Sequence, residues 1–62
     1  MTLEKELAKE VLTSIEEDKG IEEVNRKYKN YLNYISKGQP YDVKLFNVLD
    51  HKHTKYLLRK LE

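Results

Sequence analysis

The chain contains no cysteine and no tryptophan, and has one phenylalanine and one proline. Without cysteine there is no disulfide to cross-link the fold and no thiolate to hold a metal. No apolar run approaches the ~20 residues that a helix needs to cross a bilayer, so no membrane partner is expected. The opening MTLEKELAKE is charged and lacks the apolar h-region of a signal peptide. These absences point to a soluble, cytoplasmic setting. Glycine is scarce too: Gly20, Gly38 and Pro40 are the only strong punctuators in 62 residues. A chain this short buries only about 60% of the surface that its unfolded form exposes. At such a size burial barely offsets the entropy of ordering. Close helix packing, or association with a second copy or with another protein, is expected to supply the difference.

Charge is what the chain has in plenty, and its two signs are segregated. Residues 1–23 carry eight acids and three lysines, a net of −5, while residues 24–62 carry nine bases and three acids, a net of +6. The whole is left at +1. Such a split suits an acidic helix packed on a basic one, two molecules meeting acid to base, or a basic face that meets an external anion.

The punctuators divide the chain into three segments, each with helical periodicity. In the first, Leu3, Leu7, Ala8, Val11, Leu12 and Ile15 follow the spacing of a one-sided amphipathic helix running from Leu3 to about Lys19. Thr2 reads as its N-cap, and Glu4 and Glu6 suit its positive end. Gly20 reads as the left-handed residue that follows it. Glu16, Glu17 and Asp18 oppose the dipole, so that end should fray or be held by a basic partner. In the second segment, Ile21 to Ser36, the residues Ile21, Val24, Tyr28, Tyr31, Leu32 and Ile35 share an arc of roughly 100°. Lys37-Gly38 is its stop signal, and Gln39-Pro40 prevents continuation.

The third segment follows Pro40, with Asp42 as N-cap. Leu45, Phe46 and Leu49 recur at helical spacing, but Asp50 to Lys55 brings no aliphatic side chain. With Leu45 placed at 0°, Leu49 falls at about 40°, His53 at about 80° and Tyr56 at about 20°. The stripe therefore passes through the gap with His53 in the missing position. This predicts one helix over residues 42–60, with a break near residues 50–54 as the alternative. No segment alternates with the period of a strand. The expected fold class is all-α: a small three-helix bundle, built as a helical hairpin plus a long C-terminal helix, in a single domain over residues 1–62.

The sites follow from helical phase. Residues two apart on a helix point about 200° away from each other, so His51 and His53 cannot share one ion and no metal site is expected. His53 belongs at a core edge, where its protonation would make packing pH-sensitive. The adjacent acids Glu16/Glu17 and Glu22/Glu23 diverge around their helices. No phosphate-cradling loop, nucleophile elbow or Ser-His-Asp set is present. Neither catalysis nor a cofactor is expected.

Two functional classes stay open. Val48, at about 300°, and Leu58, at about 220°, lie off the apolar stripe of the third helix. With Tyr34, Tyr41 and His53 they are the candidate protein interface. They suit a non-catalytic binding module (a regulator, inhibitor or adaptor) whose partner is another protein or a second copy in a homodimer. The alternative is nucleic acid. RKYKNYLNYISKGQPY interleaves tyrosines with cations, as single-strand binders do, although Tyr28 and Tyr31 fall on the apolar face. Arg26, Lys29 and Lys37, with Lys44, Lys52, Lys55 and Arg59 of the third helix, are the candidate phosphate contacts. The isoelectric point near 7.9 lies below the footprint of an autonomous nucleic-acid binder. LDHKHTKYLLRKL resembles the C-terminal helix of the small Hha-type nucleoid-modulating proteins in its Asp-His-basic step before a Lys-Leu ending. That likeness implies a nucleoid-associated role, and no functional residue is carried over from it.

Overall fold

Helices form in all three periodic segments: α1 over Leu3–Glu16, α2 over Ile21–Ser36 and α3 over Val43–Leu61. The computed structural model describes residues 3–62. Thr2, the expected cap of α1, lies outside them. α3 runs through residues 50–54 without a break, since the polar gap contains no residue that interrupts a helix. Its first turn is capped as its sequence implies: a carboxylate oxygen of Asp42 accepts from the amides of Lys44 at 2.9 Å and Leu45 at 3.3 Å.

The chain runs up, down and up. Glu4, in the first turn of α1, accepts from the amide of Asp42 at the start of α3. Asp18, just past the end of α1, meets Lys60 in the last turn of α3. α1 and α3 are therefore parallel neighbours, with α2 antiparallel to both. The three apolar faces meet in one all-α core. Ala8, Val11, Val24, Tyr28, Tyr31, Leu49 and Tyr56 are buried there. Leu7, Leu12, Ile15, Leu32, Ile35, Leu45 and Phe46 pack against this centre half-buried. Each fully buried aliphatic side chain contributes about 1.5–3 kcal/mol.

The end of α1 differs from its sequence reading. The helix stops at Glu16, and the left-handed residue is Asp18, with φ 52°. The amide of Lys19 donates to the Ser14 carbonyl at 3.0 Å, and the amide of Asp18 donates to the Ile15 carbonyl at 3.1 Å. This is the paired closure that ends a helix with a left-handed residue. Gly20 also has positive φ, at 107°, but it opens α2 instead of closing α1. Asp18 occupies a position that glycine usually takes because its side chain is needed there. The Tyr56 hydroxyl donates to its carboxylate at 2.6 Å, and the Lys60 ammonium lies 2.7 Å from it. The acidic end of α1 is thus held by a basic partner, the second of the two outcomes that its sequence allowed.

Tyrosines fill most of the aromatic core, and each buried hydroxyl donates to a carboxylate on another element. Tyr31 of α2 donates to Glu4 of α1 at 2.9 Å. Tyr28 of α2 donates to Asp50 of α3 at 2.9 Å. Tyr56 of α3 donates to Asp18 in the α1–α2 turn and accepts from the Gly20 amide at 3.0 Å. Burial pushes the Tyr28 hydroxyl pKa up to about 12, with Asp50 adding to the rise. It raises the Tyr31 hydroxyl further, with Glu4 adding to it. Among the described residues no buried side-chain nitrogen or oxygen lacks a partner.

Glu4 is 6% exposed, and one of its oxygens accepts from both Tyr31 and the Asp42 amide. Tyr31→Phe is expected to cost about 1–3 kcal/mol, because it leaves a buried carboxylate one donor short. Urea unfolding of the wild-type and Tyr31→Phe chains measures the difference. A loss under about 0.5 kcal/mol would mean that this carboxylate is hydrated instead of clamped.

Candidate functional site

His53 lies on the seam between α2 and α3, half-buried, where the wheel placed it. Its ring stacks on Tyr28 with centroids 4.1 Å apart and planes 25° from parallel. Its Nε2 lies 2.7 Å from the side-chain oxygen of Asn25. With that amide oxygen accepting, Nε2 is the donor. Burial lowers the His53 pKa below 6.5, and the nearby Asp50 carboxylate opposes that shift. His51 is exposed and points elsewhere. No group of three or more His, Cys, Asp or Glu side chains among the described residues is placed to hold a metal.

The candidate phosphate contacts do not form one surface. On α3 the residues that face α2 are Phe46, Asp50 and His53, through Tyr31, Tyr28 and Asn25. Lys44, Lys52, Lys55 and Arg59 sit on another side of the helix, about 100° or more around from each of those residues. Arg26 and Lys29 are exposed on α2, and Lys37 is exposed just past its end. The Arg26 guanidinium moreover donates to both carboxylate oxygens of Glu23, each at 2.7 Å. Its guanidinium holds the Glu23 carboxyl below the usual glutamate range.

The candidate protein contacts scatter as well. Tyr34 is half-buried, more covered than an exposed contact residue was expected to be. Tyr41 packs edge-on against Phe46, with ring centroids 5.9 Å apart. Val48 is 46% exposed and Leu58 57%. They stand on the side of α3 that carries the cations.

That side borders a groove that helical phase alone did not reveal. α1 and α3 run side by side, and a cleft of about 480 Å³ opens between their C-terminal halves. Leu12 and Ile15 of α1 and Leu58 of α3 give it an apolar lining. Lys52, Lys55 and Arg59 line its α3 flank together with Glu62, and Glu16 lies on the α1 side. The Arg59 guanidinium sits 5.4 Å from the centroid of the Tyr56 ring. A second cleft, between α1 and α2, is lined by charges of both signs. Lys27 and Glu10 bridge that seam at 2.6 Å. The apolar pattern of α1 already contained Leu12 and Ile15, but which neighbour would leave them partly open depends on the order of the three helices.

Comparison with protein-family models finds no match, and comparisons with curated proteins and with solved structures find none either. No helix among the described residues is long and apolar enough to cross a membrane.

The His53 environment predicts a pH dependence with a definite sign. Its folded pKa is depressed, so the unfolded chain binds the proton more readily. The associated stability is fully present above about pH 6.5 and is lost as pH falls through the folded value. A two-dimensional NMR titration should place the His53 pKa below the ordinary histidine value of about 6.5. His53→Gln should flatten the stability change between about pH 7 and about pH 5.5. A His53 pKa equal to that of an exposed histidine would contradict this assignment.

Proposed function

We propose that this chain is a small, non-catalytic protein-binding module, acting as a regulator, inhibitor or adaptor. The observation that carries the reading is the open apolar groove between α1 and α3, together with Val48 and Leu58 exposed on the same side of α3. A bundle of this size gains stability when such surface is covered, and binding linked to the folded state adds to that stability. Self-association through helix faces is one form of this activity. Nucleic-acid binding is the second reading. It is supported by the cations of α3, and weakened by the separation of those cations from Arg26, Lys29 and Lys37.

Two measurements on the wild-type chain and on a Val48→Ser/Leu58→Ser chain test the reading. Sedimentation velocity at micromolar concentration reports self-association, and affinity capture from source cells reports a foreign partner. The wild-type chain is expected to form a dimer, or to retain a protein that the double substitution releases, with the helical circular dichroism of both chains unchanged. If the wild-type chain stays monomeric and captures the same proteins as the doubly substituted chain, the proposal fails. Tight binding of random duplex DNA at about 50 mM salt, where phosphate contacts are strong, replaces it with the second reading.

A further inference from the structure

We infer that the groove between α1 and α3 receives an acidic amphipathic helix from a partner protein. This inference rests on the protein-binding reading and specifies its site and partner chemistry. Two features of the groove choose the occupant: its apolar lining and the sign of the charges beside it.

Leu12, Ile15 and Leu58 line a channel set between two parallel helices. Such a channel accepts the apolar edge of a third helix, whose side chains at i, i+3 or i+4, and i+7 drop between the walls. Lys52, Lys55 and Arg59 stand along one flank, three and then four residues apart, and so share one side of α3. They extend over two helical turns, about 10 Å. Elsewhere the cations that reach across the bundle find acids: Lys27 pairs with Glu10 and Lys60 with Asp18. Lys52 and Lys55 make no ion pair among the described residues. The Arg59 guanidinium lies over the Tyr56 ring and helps to hold the Asp18 carboxyl low, and Glu16 and Glu62, which line the same groove, form no ion pair with any of the three cations. A helix lying in the channel with Asp or Glu on its α3-facing edge would bury its apolar side chains and supply the missing counter-charges. Charges at the rim of such a contact mainly set association rate, register and partner choice.

Other occupants match less of the surface. Nucleic acid would use the cations and leave the apolar lining against phosphate and sugar. Single-strand binders also stack bases on open aromatic rings, whereas the groove's one aromatic residue, Tyr56, is 1% exposed. A second copy docked groove to groove would set the same three cations against each other, because a two-fold contact repeats one patch on both sides. The chain's own acidic helix, α1, already buries its apolar face in the core and is not free to be donated.

The test selects a display library of randomised helical peptides on the whole chain and maps the winners by NMR. Enriched peptides should combine helically spaced Leu, Ile, Met or Phe with Asp and Glu. Their amide shift changes should concentrate at residues 12–16 and 52–59. Added salt should weaken them, and a Lys52→Glu/Lys55→Glu chain of unchanged helical circular dichroism should lose about tenfold or more in affinity. Enrichment of basic or uncharged peptides overturns the inference, as do shifts mapping to another face or displacement of the peptides from these residues by duplex DNA. A captured partner that binds away from the groove also overturns it, while leaving the protein-binding reading intact. A chain that stays monomeric and captures no protein in any assay overturns both.

Discussion

Buried tyrosine hydroxyls constrain this bundle more than any other feature. With no tryptophan and one phenylalanine, the core draws its aromatic volume from Tyr28, Tyr31 and Tyr56. A tyrosine ring can be buried cheaply only if its hydroxyl reaches an acceptor. Each of the three finds a carboxylate on a different part of the chain. Glu4 ties α2 to the start of α1, Asp50 ties α2 to α3, and Asp18 ties α3 to the first turn. The contacts that fill the interior thereby fix the register of all three helices. A bundle packed with leucine alone would lack these directional restraints.

Both turns depend on the same contacts. Glu4 also accepts the Asp42 amide, so the start of α1 organises the entry to α3. Tyr56 also accepts the Gly20 amide, so α3 organises the entry to α2. The left-handed Asp18 follows from this arrangement: a glycine there would ease the backbone and lose the carboxylate that meets Tyr56 and Lys60. Lys60 chiefly, and then the Tyr56 hydroxyl, hold that carboxyl below the usual aspartate range. The charge split between the two halves of the chain is partly neutralised in these seams, at Glu10–Lys27 and Asp18–Lys60. What remains on α3 is a run of cations beside an apolar channel. The proposed binding function rests on that remainder.

Local chemistry and periodicity determined the three helices, the cap at Asp42, the stop at Gly38, the continuity of α3 and the edge position of His53. Each depends on residues within a few turns of one another, so each was legible in the chain. The place where α1 ends was not. Gly20 was the obvious left-handed candidate locally, and Asp18 prevails because Tyr56 and Lys60 approach it from α3, far along the sequence. Glu4 likewise reads as a first-turn acid suited to the helix dipole, and only folding brings it under Tyr31. Helical phase marked Lys52, Lys55 and Arg59 as outward. Tertiary structure decided that they border Leu12 and Ile15 and lie apart from the cations of α2, because the relative placement of amphipathic helices is set by packing among all three faces together.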